Sequence, residues 1–283
     1  MIYSLLGVLL FSFNNVLWKK NLRTSNVFFL VTYRAFFTSS FAFLIILLFY
    51  KIQHFNNSDI LKITLGSSLG VLGLFCMLHV LKKESLQWIG VYNLIGIVFT
   101  SLYLWIFEKI NLPDTIIGIS IIIIGFIFFI VSNINGKMSI TLKQHMLLLL
   151  MILCFSLSSI IHWKNLTNEI APIFIIANQE LLVFTVGLIF TLTKYKNSEI
   201  LTSIKSQFYT VIMMSIVILA AILCTFLGLK IINPLLSGLL FLASPLTTIL
   251  FSSIFFKEYI SVKNWISIIV ISTGAFIIYL QTL

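Results

Sequence analysis

The sequence predicts an all-α integral membrane protein with ten transmembrane helices in two inverted five-helix repeats. Three observations carry that prediction. First, 60% of the 283 residues are hydrophobic, mean hydropathy is +1.12 and only 9% are charged, against about 25% charged in a soluble domain. That leaves too little polar surface to cover a water-soluble globule, which excludes soluble enzymes, nucleic-acid binders and disordered regulators. Second, ten continuous apolar stretches approach the ~20 residues that a helix needs to cross a bilayer core. Continuous runs exclude a membrane β-barrel, whose strands alternate apolar and polar residues. Third, the two halves of the chain resemble each other at an offset of about 144–149 residues, the mark of an internal repeat.

Taken in order, span 1 covers roughly 2–18. It has neither a basic leader nor a small-residue cleavage site, so it reads as a retained helix, not a signal peptide. Gly7, Phe11, Asn14, Asn15 and Trp18 recur at three- and four-residue spacing and share one face. Span 2, roughly 27–50, carries Arg34 about 10 Å inside its start at 1.5 Å per residue. Span 3, roughly 60–81, holds Cys76. Span 4, roughly 86–107, sets Trp88 beside Tyr92, and Asn93 beside Gly96 and Thr100. Span 5 covers roughly 113–132. Span 6, roughly 144–163, carries Phe155, Ser158, Ser159 and His162. Span 7, roughly 171–193, holds Glu180 near its middle, flanked by Asn178 and Gln179. Span 8 covers roughly 208–229. Span 9, roughly 231–256, bears a stripe of Ser237, Phe241, Ser244, Pro245, Thr248 and Ser252. There Pro245 removes a backbone hydrogen bond and is the expected hinge. Span 10 covers roughly 262–281.

The repeat aligns Asn14-Asn15 with Ser158-Ser159, Trp18 with His162, Lys20 with Lys164, Arg34 with Glu180 and Cys76 with Cys224. Five spans per repeat is an odd number, so the second repeat enters the membrane in the opposite sense. That architecture is common among secondary transporters. The expected division is 1–136 and 137–283, within one transmembrane domain. The net charge of +10 sits mostly in short gaps between spans. It fits Lys and Arg anchoring helix ends at the headgroups, with no role in binding nucleic acid. Three scattered cysteines and four scattered histidines form no metal-binding pattern. No phosphate-binding Gly-rich loop appears, so neither a metal nor another cofactor is expected.

Local features then carry a family resemblance. Trp18 and Lys20 close span 1, Arg34 lies within span 2, and Phe241-Leu242-Ala243-Ser244-Pro245-Leu246 runs through span 9. Phe256-Lys257-Glu258 follows, and then Ser267 and Gly274. Over its whole length the chain resembles the drug/metabolite transporter superfamily, in particular its EamA-type permeases. Two departures are Ile97, where span 4 lacks the matching proline, and Ser267, in place of a family glycine. The resemblance implies a transporter, commonly an exporter of amino acids or other small metabolites, and not an enzyme.

Ionisable groups at membrane depth mark a pathway or binding site by default. Arg34 and Glu180 are candidate symmetry mates with two open readings. They either lock the fold as a buried ion pair or bind the two ends of a zwitterion in a central cavity. The candidate cargo site is Arg34, Glu180, Trp18, Asn14, Asn15, His162, Tyr92 and Asn93. The expected function is secondary transport of a small polar metabolite, most plausibly an amino acid or similar zwitterion. The two five-helix halves would rock in alternating access, and Glu180 would carry a candidate coupling proton. A second reading is an exchanger of anionic metabolites using Arg34, Lys20 and Lys164. A remote third is a lipid-modifying membrane enzyme. The expected partners are a small-molecule substrate and membrane lipid, in a bacterial-type cell membrane crossed many times.

Overall fold

The computed structural model describes residues 2–22, 26–50, 55–108, 115–133, 140–194, 197–231 and 243–282. Among them are ten helices: α1 Ile2–Leu22, α2 Val27–Phe49, α3 Asn57–Leu81, α4 Leu86–Glu108, α5 Thr115–Asn133, α6 Leu142–Thr167, α7 Pro172–Lys194, α8 Asn197–Ile231, α9 Ala243–Phe256 and α10 Val262–Thr282. Seven of these, α1 to α4 and α6 to α8, are each long and apolar enough to cross a membrane. Their starts follow local chemistry. Asn26 and Asn56 accept backbone N–H groups at the beginnings of α2 and α3. Thr141 and Gln144 form a reciprocal capping box on α6, and Pro172 opens α7, where no N–H bond is lost.

Most bounds match the apolar runs, with two differences. α8 has 35 residues, about 52 Å at 1.5 Å per residue, against a hydrocarbon core of about 30 Å. Its first three turns, rich in polar residues, therefore continue the helix beyond the apolar run that begins near 208. α9 is described only from Ala243. The earlier part of span 9, with Ser237 and Phe241, lies outside the described residues. Pro245 is the third residue of the described helix. The chain on which a kink there would act, 232–242, is likewise outside the described residues.

The helices pair across the repeats: α1 packs on α8, α3 on α6, α2 on α7, α4 on α9 and α5 on α10. Exchanging each helix with its repeat mate maps this set onto itself. The α1–α8 pair becomes α6–α3, and the others return to themselves. Secondary contacts obey the same exchange, with α2–α8 matching α7–α3 and α1–α9 matching α6–α4. A pseudo-two-fold axis therefore relates the repeats. Hydrogen bonds follow it as well. Ser12 on α1 meets Thr247 and Thr248 on α9 at 2.5 and 3.2 Å, and its mate Ser156 on α6 donates to the Gly96 carbonyl on α4 at 3.3 Å.

The consequence is that the two sequence halves interleave. Rocking them as separate rigid bodies would break the main helix contacts, so the expected motion of half against half does not fit this packing. Small residues permit the close crossings. At Gly274 an added Cβ would stand 2.6 Å from the Gly118 carbonyl oxygen, and at Gly187 it would stand 2.6 Å from Thr32 Oγ1.

Candidate functional site

Arg34 on α2 and Glu180 on α7 form an ion pair of 2.9 Å, with side chains 1% and 2% exposed. The helices that carry them are each other's repeat mates, so each side chain reaches the other from an equivalent position. Trp18 on α1 packs its ring 5.6 Å from the guanidinium carbon, a cation–π contact. The Arg34 carbonyl accepts from Ser215 on α8 at 2.9 Å, tying α2 to α8. Guanidinium Nε and Nη1 have no hydrogen-bond partner among the described residues.

The pair lies in the wall of a cavity of about 300 Å³, the lower end of the size range of small-molecule sites. α1, α3, α4, α6 and α8 complete the wall. Asn14, Asn15 and Trp18 line it together with their repeat mates Ser158, Ser159 and His162. Phe11 and Phe155, also mates, add apolar surface. The frame is thus symmetric and its chemistry is not: the repeat matches amide with hydroxyl, indole with imidazole, and cation with acid. Asn93, Gly96 and Thr100 line the cavity from one face of α4.

Seven of the eight cargo residues named from sequence therefore share one cavity. Tyr92 stands apart. Its hydroxyl meets Nδ1 of His145 at 2.6 Å, and its ring packs edge-on against Phe126 at 5.0 Å. It joins α4 to α5 and α6 on the side away from the cavity, because Tyr92 and Asn93 are adjacent on a helix and point about 100° apart.

Residues not named from sequence include the apolar wall of Gly70, Leu74 and Met77 on α3 and Ile218, Ile222 and Phe226 on α8. Within the bilayer these helices carry only scattered hydroxyls, so no continuous polar stripe marks the inward face. The usable signal was the repeat itself: Gly70 and Leu74 align with Ile218 and Ile222.

The two ends of the bundle are closed differently. Where α1 ends, Lys19 is buried and donates to the carbonyls of Leu81, at 3.0 Å, and Glu84. Gln144 donates to the Glu84 carboxylate, Ser85 to Glu258 at 2.5 Å, and Gln87 and Asn264 continue the network to the start of α10. At the opposite end two surface pairs bridge the helices, Lys164–Glu108 at 2.5 Å and Lys230–Glu169 at 3.5 Å. Lys19 is thus a structural donor, not the headgroup anchor that its place in a gap suggested. No cluster of three or more metal-ligating side chains occurs among the described residues.

The EamA-like transporter family matches the chain over residues 1–131 and 142–280. No curated protein sequence matches it. Among solved structures, one described only as "Crystal structure of protein" superposes with a TM-score of 0.69 at 15% identity, covering 99% of each chain. At that identity the likeness shows the fold alone.

Proposed function

From the chain's membership of the EamA-like transporter family, which makes it a multi-pass membrane transporter of small molecules, we propose that its cargo is a small zwitterion, an amino acid or close analogue. The carrying observation is the Arg34–Glu180 pair in the cavity wall, with two guanidinium nitrogens unengaged. A zwitterion fits such a pair without adding net charge to a low-dielectric site. Its carboxylate takes the guanidinium fork and its ammonium takes Glu180. Splitting the ion pair then costs little, because each charge exchanges one partner for another. An anion alone would leave Glu180 buried and uncompensated, which is strongly unfavourable.

We assign the direction as export and the cycle as alternating access. Helix groups drawn from both repeats move, since the repeats interleave. Glu180 is the proposed site of a coupling proton. The exchanger reading needs Arg34, Lys20 and Lys164 together. Lys20 is exposed, and Lys164 is paired with Glu108 at the surface, so neither supports it.

Counterflow in proteoliposomes tests the reading. Internal unlabelled amino acid is expected to drive uptake of the labelled one, Glu180→Gln is expected to abolish it, and sugar phosphates are expected to drive none. Counterflow by sugar phosphates with no response to any amino acid would overturn the reading.

A further inference from the structure

We propose that His162 is a second cargo anchor, selecting zwitterions that carry a further hydrogen-bonding group. The inference rests on the zwitterion reading and narrows its cargo. His162 is 1% exposed and lines the cavity, and neither ring nitrogen has a hydrogen-bond partner among the described residues. Buried polar groups in folded proteins are almost always paired, and an apolar side chain would fill this place at no desolvation cost.

The surroundings hold the ring without using its nitrogens. Phe226 packs at 5.3 Å between ring centres. On the other side the ring fills the notch at Gly66, where an added Cβ would come within 2.8 Å of Cε1 and 3.0 Å of Nδ1. Ser158, one turn earlier on α6, donates to the Gly66 carbonyl at 2.7 Å and fixes that notch.

The repeat sharpens the contrast. Trp18, the mate of His162, already has Arg34 over its ring. His162 occupies the equivalent place with its hydrogen-bonding capacity unspent. Nδ1 lies against the Gly66 notch, so Nε2 is the nitrogen left for cargo. A neutral imidazole presents there a donor or an acceptor according to its tautomer, and a hydroxyl or a carboxamide can meet either. Nearby Ser159 and Thr225 add hydroxyl groups to the same wall. The cargo class is therefore an amino acid with a polar, uncharged side chain, held at its backbone end by Arg34 and Glu180 and at its side chain by His162.

Matched pairs of similar size provide the test: threonine and valine, glutamine and methionine, tyrosine and phenylalanine. Each is measured by counterflow in proteoliposomes as a ratio of transport efficiencies. Wild type is expected to favour the polar member of at least one pair by about tenfold, the scale of an unpaired buried group. His162→Phe should bring that ratio to within about twofold, and His162→Gln, which keeps a donor and an acceptor, should preserve most of it. His162→Met replaces the phenylalanine variant if that protein does not fold.

No preference in wild type, or a preference that survives His162→Phe or His162→Met, overturns the proposal while leaving the zwitterion reading intact. If no amino acid of any pair exchanges in wild type, both fall.

Discussion

At the scale of single residues, the buried ion pair makes the sharpest demand. Removing one partner leaves the other charged and uncompensated at membrane depth, so Arg34→Ala is expected to cost about 3–5 kcal/mol, read as a lowered melting temperature in detergent. Reversing the pair with Arg34→Glu and Glu180→Arg together restores the counter-ion and should recover most of that loss. Counterflow should stay absent, because the cargo's two ends would meet the wrong charges. Recovery of transport along with stability would make the pair purely structural. Both residues were legible in the sequence because a charge within an apolar run stands out. Their contact was one of two readings left open, since an offset of equivalent positions says nothing about reach. Tyr92 shows the opposite failure. Tyr92 was named with the cargo residues, but its hydroxyl meets His145 on another helix.

At the scale of helices, small residues and end contacts decide the packing. Gly274 faces backbone on α5, with the Gly118 carbonyl 2.6 Å from an added Cβ. Gly274→Leu should therefore separate α5 from α10 and destabilise the protein by about 1–3 kcal/mol, checked by thermal unfolding. An unchanged melting temperature would show that the pair has room to shift. Two lysines should behave unlike each other. Lys19→Met leaves the Leu81 and Glu84 carbonyls short of a donor and should cost about 1–3 kcal/mol, whereas Lys164→Ala breaks a half-exposed pair worth at most about 1 kcal/mol. Helix positions were readable from apolar length alone. The inward faces of α3 and α8 were not, because a mostly apolar helix gives nearly the same pattern to a lipid-facing and a cavity-facing side.

At the scale of the whole molecule, the interleaving of repeats governs assembly. Fragments 1–136 and 137–283 expressed separately should each be degraded, because each lacks the helices it packs on, and co-expression should recover a complex that copurifies. A stable isolated half would contradict the pairing of α1 with α8 and α3 with α6. The repeat was legible from residues such as Cys76 and Cys224, whereas which helix touches which depends on tertiary packing that no local pattern encodes. The same pairing sets a schedule for biogenesis. Glu180 is translated 146 residues after Arg34, and at a synthesis rate of roughly 5–20 residues per second that interval lasts roughly 7–30 s. Through it the nascent chain holds an arginine in the bilayer with no acid to meet it. The translocon, lipid headgroups or water must shelter that charge until the seventh helix arrives.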